Sequence, residues 1–99
     1  MTKADIVDRI ADGTGLTKTE TEAVINGFMT IVKSALTEGE SVYLRGFGTF
    51  KAQKRAARTA RNPRTNQEVR VSERVLPVFK ASQEFRDAVE SRLDPQDIE

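Results

Sequence analysis

The stretch KAQKRAARTARN, residues 51–62, constrains the fold of this chain more than any other feature. Successive side chains of a strand point to opposite faces, and both alternating sets here consist of charged, polar or small residues. Neither face can stabilise burial in a sheet core, and at about 3.3 Å per residue the stretch would extend roughly 40 Å, well beyond an ordinary strand. The segment QEVRVSERVLPVF then alternates again through Val69, Val71 and Val75. The pattern predicts a projecting two-stranded arm over about residues 51–75, with NPRTN at its tip.

The positive charge of the chain is concentrated in the same segment. Residues 51–75 contain eight Lys and Arg against two Asp and Glu, a net charge of +6, whereas residues 1–50 have a net charge of −2 and residues 76–99 of −3. This separation favours a polyanion as the partner of the arm. A simpler interpretation is that basic side chains on an exposed edge prevent aggregation between strands, although eight of them exceed what that role requires.

The composition excludes most catalytic and metal-binding arrangements. The chain has no cysteine and no histidine, so disulfides, thiolate metal sites and the commonest general base are all missing. We therefore expect no enzyme activity, no metal or other cofactor and no small-molecule substrate. The sequence also has no apolar run of membrane-spanning length and no secretion or transit pattern at its start, which predicts a soluble intracellular protein without a membrane partner.

Two helices are predicted in the N-terminal part, each with a capping signal. Thr2 and Asp5 precede an apolar pattern that DGTG ends, which predicts a helix over roughly residues 3–13. TKTE at 17–20 is a capping box, and a second helix is expected from there to Glu38, with Gly39 as its left-handed stop. Core packing explains most of the apolar face of this helix, but its width also favours a second chain that covers part of it. That face consists of Val24, Phe28, Ile31, Ala35 and of Ile25, Met29, Val32, Leu36.

The segment SVYLRGFGTF changes the periodicity from helix to strand. Val42 and Leu44 alternate with polar residues, and Gly46 and Gly48 bracket Phe47 as in a tight turn or bulge. This segment predicts antiparallel strands that lead into the arm.

One more helix and a tail complete the predicted chain. The helix is expected to begin near Ser82 and to end before Asp94, with Phe85, Val89 and Leu93 on one face. Residues 94–99 are predicted to be a short, frayed acidic tail. With an apolar content of 37%, residues 1–93 are predicted to form one domain, which a partner chain would complete.

Four arginines repeat every three residues along the arm: Arg55, Arg58, Arg61 and Arg64. On a strand, this spacing sends successive guanidinium groups to alternate faces, which suits a groove with phosphate on both walls. Nucleic acid is the polyanion that fits these dimensions, because a two-stranded ribbon can enter a groove of duplex DNA and arginine is attracted to the minor groove.

Pro63 at the tip of the arm has two compatible interpretations of equal weight. A proline after an asparagine is ordinary turn chemistry, because its fixed φ suits the second position of a turn. A rigid apolar ring on a cationic arm is also a wedge that can enter between base pairs, at a cost of about a few kcal/mol, and kink the duplex.

The order and spacing of these motifs resemble the bacterial HU/IHF family of nucleoid DNA-bending proteins. RGFGTF is followed by ARNPRT and then by VFK at 78–80, after two capped helices, and the resemblance covers residues 1 to about 93. It implies an α+β fold: an intertwined dimer with two N-terminal helices, a β-sheet with a long protruding β-ribbon arm and a short C-terminal helix. The implied partners are double-stranded DNA and a second chain, as a homodimer or as a heterodimer with a paralogous subunit. The implied location is the bacterial nucleoid, in the cytoplasm. The motifs RGFGTF and RTARNP look closer to the IHF branch of the family than to the HU branch.

The same resemblance implies a set of DNA-binding residues, with Pro63 as the intercalating wedge. On the arm these are Arg55, Arg58, Arg61, Asn62, Pro63 and Arg64, and on the body they are Lys3, Lys80 and Arg86. Phe47, Phe50 and Phe79 match core positions of the family. The chain departs from the family pattern at Ala60 and Asn66, which replace glycines, although Asn66 can still adopt a left-handed conformation. Gln83 replaces a usual positive charge, which weakens the case for one phosphate contact on the body.

Two other functions are compatible with a basic hairpin. An RNA-binding or ribosome-associated module would use the arm on an irregular polyanion, but the arm has no aromatic side chain on which single-stranded bases could stack. An assembly device would place the arm on the acidic surface of a partner protein. The favoured hypothesis is an architectural protein that binds duplex DNA through the minor groove and phosphates and bends it by proline wedging.

Overall fold

The computed structural model describes residues 1–98, and within them the chain forms three α-helices and five β-strands. These elements fall into two compact units, residues 1–35 and a second unit that begins at Leu36. Helices followed by an antiparallel sheet make this an α+β fold, which confirms the predicted fold class.

The first helix, α1 (Lys3–Thr14), begins and ends where the sequence predicts. The Thr2 hydroxyl oxygen accepts a hydrogen bond from the Asp5 amide at 3.3 Å, and Asp5 Oδ2 accepts from the Thr2 amide at 2.8 Å. This reciprocal cap satisfies amides that the first turn leaves without a helical partner. Gly15 then ends the helix with a φ of 80°, a conformation that suits glycine.

The second helix, α2 (Lys18–Thr37), is bounded in the same way. The Glu20 amide donates to the Thr17 hydroxyl and the Thr17 amide donates to Glu20 Oε1, both at 3.1 Å. Gly39 has a φ of 80° and donates its amide hydrogen to the Leu36 carbonyl at 3.0 Å. The predicted capping box and the predicted glycine stop are both confirmed.

Ion pairs hold α1 and α2 together as an antiparallel hairpin. Lys3 Nζ lies 3.5 Å from Glu22 Oε1, and Lys18 Nζ lies 3.2 Å from Asp8 Oδ1. The start of α1 therefore faces the first turns of α2. The core of this unit is small, because the buried apolar side chains found in the described part of the chain are Val7 and Ala11.

The second unit is built on an antiparallel sheet with the strand order β1-β2-β5, formed by β1 (Val42–Leu44), β2 (Gly48–Arg55) and β5 (Arg74–Ala81). Strand β1 pairs with β2 only as far as the Val42–Phe50 pair. From Lys51 onward β2 has β5 as its single neighbour, with Lys51 opposite Val78. The chain beyond this point is a two-stranded ribbon, defined here as residues 51–78.

The ribbon continues as β3 (Arg58–Arg61) and β4 (Glu68–Val71), which pair with each other. The predicted two-stranded arm is interrupted at residues 56–57, where the pairing stops opposite residues 72–73. Two residues of each strand are unpaired at this gap. The Arg55–Arg74 and Arg58–Val71 pairs therefore belong to one register. Ala56 and Ala57 carry no turn signal, and the break is therefore not visible in the sequence.

Residues 51–53 are partly covered. Lys51, Ala52 and Gln53 are half-buried and not fully buried, which agrees with the prediction that neither face of this stretch belongs to a sheet core. Long polar side chains can bury their aliphatic stems while their polar ends stay in water. The lower part of the ribbon is thus partly covered, and exposure increases from Lys54 onward.

Aromatic rings pack at the root of the ribbon, which we define as residues 46–50 and 79–85. The ring centroids of Phe47 and Phe79 are 5.0 Å apart, those of Phe50 and Phe79 4.8 Å, and those of Phe47 and Phe85 5.4 Å. These separations lie in the favourable range for aromatic pairs. Phe47, Phe50 and Phe79, the implied core positions, form this cluster with Phe85, but in the single chain Phe47 is still 44% exposed and Phe79 41% exposed.

Gly48 allows the two strands of the root to approach each other. A Cβ atom at this position would lie 2.5 Å from the Lys80 carbonyl oxygen and 2.6 Å from the Phe79 ring. Gly46, two residues earlier, has a φ of 79° in the turn between β1 and β2. The backbone therefore requires glycine at both positions: Gly48 allows the close approach of the strands, and Gly46 allows the left-handed turn.

The third helix, α3 (Gln83–Arg92), follows the root directly. The Ser82 amide donates to the Phe47 carbonyl at 2.9 Å, and the Ser82 hydroxyl accepts from the Phe85 amide at 3.1 Å. Ser82 is therefore both the helix cap and a tie to the turn before β2, as its predicted position near the helix start suggests.

The residues after α3 are more regular than expected. Pro95–Asp97 form one turn of 3-10 helix, in which Asp94 Oδ1 accepts from the Gln96 amide and Asp97 Oδ2 accepts from the Asp94 amide, both at 3.0 Å. The aspartates cap this turn, and the fraying of the tail stays a prediction. Glu99, the last residue of the predicted tail, lies outside the described residues. In residues 1–98, no helix has both the length and the apolar content needed to cross a membrane.

Candidate nucleic-acid interface

The tip of the ribbon, residues 62–66, is a closed loop. The Asn66 amide donates to the Asn62 carbonyl at 2.7 Å, and the Asn62 amide donates to the Gln67 carbonyl at 2.8 Å. Asn62 Oδ1 also accepts from the Arg64 amide at 2.9 Å. Pro63 is the second residue of this loop and its ring is exposed. The predicted turn position of Pro63 is confirmed, and the ring is presented by a backbone that several hydrogen bonds fix.

Asn66 confirms the conformation expected where the family has glycine. Its φ is 58°, the left-handed region that asparagine tolerates better than most residues. Arg61 Nη1 donates to the Asn66 carbonyl at 3.3 Å and to Asn66 Oδ1 at 3.2 Å. The Arg61 guanidinium is therefore folded back over the tip and stabilises the loop.

The other predicted arm residues are exposed and lie along the ribbon. Arg55 is the last residue of β2, Arg58 the first of β3, and Arg64 belongs to the tip. Arg58 and Arg61 are three residues apart on one strand, so they point to opposite faces, as predicted. The structure thus brings Arg61, Asn62, Pro63 and Arg64 together at the tip and places Arg55 and Arg58 below it.

The three predicted body residues have different surroundings. Lys3 is in the helical unit, where its ammonium group contacts Glu22 and donates to Asn26 Oδ1 at 3.0 Å. Lys80 on β5, opposite Thr49, and Arg86 in the first turns of α3 are exposed. Lys3 is consequently the one of these three whose charge is already partly compensated within the part of the chain that the structure describes.

Gln83, the departure from the expected basic residue, is engaged within its own helix. Its Nε2 donates to Asp87 Oδ1 at 2.8 Å. The side chain therefore spans one turn of α3 and carries no positive charge toward a phosphate.

The ribbon contains basic residues that the sequence reasoning did not single out: Lys51, Lys54, Arg70 and Arg74. Lys54 is compensated, because its Nζ lies 3.2 Å from Glu73 Oε1. Arg70 is exposed opposite Thr59, and Arg74 is exposed opposite Arg55. Because the register is continuous, residues at equal distances from the tip along the two strands are paired. The sequence could have identified these cross-strand pairs in that way. Residues 1–98 contain no cluster of acidic side chains suited to a metal ion.

Comparison with known proteins assigns the chain to a family. The family model described as "Bacterial DNA-binding protein" matches residues 1–90, which is most of the chain. The chain belongs to the bacterial DNA-binding protein family. The predicted HU/IHF resemblance is confirmed at this level, and the match ends before the acidic tail.

Individual members of this family are similar over nearly their whole length. The DNA-binding protein HU of Lactococcus lactis is 44% identical over 87 residues, which cover 88% of this chain and 96% of that protein. The DNA-binding protein HU of Clostridium pasteurianum is 43% identical over 89 residues, which cover 90% of this chain and 98% of that protein. Both relatives are named HU, and the closer likeness to the IHF branch stays a prediction.

A solved structure of the family supports the same assignment. The Anabaena HU protein in a cocrystal with DNA aligns with a TM-score of 0.80 and 34% sequence identity, covering 89% of this chain and 96% of that one. At this similarity the HU fold of helices, sheet and ribbon applies to the present chain.

Proposed function

We propose that this HU-family chain is an architectural protein that binds duplex DNA through phosphates and the minor groove and bends it with Pro63. The observation that carries the proposal is the ribbon itself, whose exposed arginines lead to a hydrogen-bonded tip that presents an exposed proline ring. In this proposal residues 1–93 act as one DNA-binding domain, with the arm at about residues 51–75. The protein is non-enzymatic and acts in the bacterial cytoplasm, where it organises the nucleoid.

Phosphate binding falls to the exposed cations, Arg55, Arg58, Arg64, Lys80 and Arg86. Guanidinium groups donate in a planar fork that matches phosphate oxygens. Each phosphate neutralised releases counterions, so log affinity should fall with log salt concentration by about 0.9 per contact. Arg61 and Asn62 have a second role, because the bonds of Arg61 to Asn66 and of Asn62 to Arg64 keep the tip closed. Lys3 contributes to phosphate binding only after it exchanges Glu22 for a phosphate.

The wedge role of Pro63 follows from its position on a closed loop. A ring that enters a base step must stay in place while the bases separate, and unstacking costs about a few kcal/mol per step. The tip supplies that rigidity through the bonds between Asn62, Arg64 and Asn66. Sequence preference then comes mainly from how easily a duplex deforms, because the ribbon offers arginines and not a helix of base-reading side chains.

A dimer is part of the proposal. Several large apolar side chains of the helices stay exposed in the single chain, for example Val24 at 66% and Ile31 at 68%. Burial of apolar area is the main source of stability, and the small core around Val7 and Ala11 offers little of it. A second chain, identical or paralogous, would cover these faces and place two arms on one duplex.

The test replaces Pro63 with alanine and measures affinity and bending separately. Pro63→Ala is expected to leave the fold intact and to reduce duplex circularisation more than binding, because phosphate contacts remain while the wedge is lost. Thr65→Ala in the same tip is the matched control. Circularisation equal to that of the unchanged protein would contradict the wedge. Equal competition by double-stranded RNA would favour the RNA-binding alternative, and negligible affinity for both nucleic acids at moderate salt would favour the assembly device.

A further inference from the structure

Two arginines lie directly opposite each other about midway along the ribbon. Arg55 on β2 pairs with Arg74 on β5 at the last rung of that ladder. Residues paired in an antiparallel ladder point to the same face, with Cβ atoms about 4.5–5.5 Å apart. Both side chains are exposed, so two guanidinium groups project side by side from one face of the ribbon.

The carboxylates of the ribbon do not compensate this pair. Residues 51–75 contain two acidic residues, Glu68 and Glu73. Glu68 is opposite Arg61 in the β3–β4 ladder, and Glu73 Oε1 forms its ion pair with Lys54 Nζ at 3.2 Å. Within residues 1–98, neither Arg55 nor Arg74 has a hydrogen bond or ion pair through its side chain.

Repulsion between the two arginines destabilises the ribbon when no anion is bound. Like charges directly opposite each other on one face of a sheet are destabilising, and nothing in the packing of the ribbon requires a guanidinium at either position. An anion between the two groups would reverse the sign of the interaction. A phosphate offers several oxygens, and each arginine can donate to them through two parallel N–H groups.

We propose that Arg55 and Arg74 form a phosphate clamp, a two-arginine site that binds one phosphodiester group about midway along the ribbon. The inference rests on the proposed function and deepens it, since it assigns a contact with the DNA phosphate backbone to Arg74. Neither the motifs nor the family resemblance indicated this residue. The clamp fixes the position of the duplex about midway along the ribbon, while the tip acts on the bases.

The first experiment detects the site without DNA. The Nε–Hε signals of the arginines are followed by NMR as inorganic phosphate is added to the intact protein, with an equal concentration of chloride as the reference. The signals of Arg55 and Arg74 are expected to shift together, and more than that of Arg92 on α3. In Arg74→Gln, the shift of Arg55 should fall severalfold. No shift of Arg55 and Arg74 beyond that of Arg92 would overturn the clamp, whether or not the protein binds DNA.

The second experiment measures the contact on duplex DNA. The salt dependence of affinity is compared for the unchanged protein, Arg55→Gln, Arg74→Gln and the double variant, with Arg92→Gln as the charge-matched control. Each single ribbon variant should make the slope shallower by about 0.9, so each tenfold decrease in salt should raise its affinity roughly eightfold less than that of the unchanged protein. The double variant should lose less than the product of the two single losses, because both groups hold one phosphate. A slope of Arg74→Gln equal to that of Arg92→Gln would overturn the inference and leave duplex binding by the unchanged protein intact.

A measurement of the free protein separates the clamp from a structural role. The melting temperature of Arg74→Gln at low salt should equal or exceed that of the unchanged protein, because the like-charge pair is removed. A lower melting temperature would mean that Arg74 stabilises the fold, and would count against the clamp.

Discussion

The root and the tip of the ribbon are held together in opposite ways. At the root, the Phe47, Phe50 and Phe79 rings pack at about 5 Å and Gly48 has no space for a side chain. At the tip, the loop depends on hydrogen bonds among Asn62, Arg64 and Asn66. Shape complementarity therefore determines the root, whereas the tip depends on polar groups that are also available to a ligand. A change in the root should alter folding, and a change in the tip should alter function.

The largest expected effect is that of Gly48→Ala. The added methyl group would lie within 2.6 Å of the Phe79 ring and the Lys80 carbonyl oxygen, so the strands must separate. Overpacking of this kind costs typically about 1–3 kcal/mol, and the free energy of unfolding in urea should fall by that amount.

Gly27→Ala on α2 is the matched control for this substitution. No atom lies within 4 Å of a Cβ built at Gly27, and alanine is favoured over glycine within a helix by about 1 kcal/mol. The control should be as stable as the unchanged protein or slightly more stable. Equal unfolding free energies for Gly48→Ala and the unchanged protein would contradict the described packing of the root.

A smaller effect is expected from Asn66→Gly at the tip. Glycine accepts the left-handed backbone but removes the Oδ1 atom to which Arg61 donates at 3.2 Å. The net loss of one such bond is about 0.5–1 kcal/mol, so the amide hydrogens of Asn62 and Asn66 should exchange about twofold to fivefold faster, with the unfolding free energy unchanged.

Asn66→Asp is the control at this position, because it keeps the acceptor atom. Its exchange rates should equal those of the unchanged protein or be slower, after correction for the intrinsic rate of each sequence, because a carboxylate accepts a stronger, charge-assisted bond from Arg61. If Asn66→Gly and Asn66→Asp exchanged equally, the contact with Arg61 would not stabilise the tip.

The smallest effect concerns pH and separates the helices from the tip. Hydrogen bonds from the backbone and then the side chain of Thr2 lower the pKa of Asp5, and bonds from the hydroxyl and then the backbone of Thr17 lower the pKa of Glu20. Both pKa values are therefore below the unfolded values of about 3.9 and 4.3. The stabilisation is complete above those values and is lost as the pH falls through the folded pKa values.

Helix content measured by circular dichroism should accordingly decrease slightly as the pH falls below about 4. Glu20→Gln keeps a hydrogen-bond acceptor that does not titrate. The helix content of this variant should therefore decrease less at low pH than that of the unchanged protein. The tip is closed by amide groups and an arginine, so its amide exchange, corrected for intrinsic rates, should not follow this transition. Identical pH profiles for Glu20→Gln and the unchanged protein would exclude the cap at Thr17 as a cause.

The parts of the structure that the sequence predicts are those with local causes. Thr2, Thr17 and Ser82 cap helices by hydrogen bonds to residues a few positions away. Gly39 and Asn66 adopt left-handed conformations that these residue types tolerate. Each of these features depends on atoms close in the chain, so a single sequence carries the full signal.

The features that the sequence did not predict depend on contacts across strands. The close approach at Gly48 involves Phe79 and Lys80, and the contact of Arg61 with Asn66 requires the closed tip. The pairing of Arg55 with Arg74 follows only once the register around the tip is known. The spacing of arginines along one strand indicated a basic arm, but it could not show which of these charges face one another.

The register shared by both ladders of the ribbon limits how such an arm can change length in evolution. The pairing gap is matched at residues 56–57 and 72–73, so the faces stay aligned from root to tip. Adding or deleting one residue in a single strand would turn every side chain beyond it to the other face and separate Arg55 from Arg74 or Arg61 from Glu68. Viable length variants of this arm should therefore gain or lose residues in both strands at once.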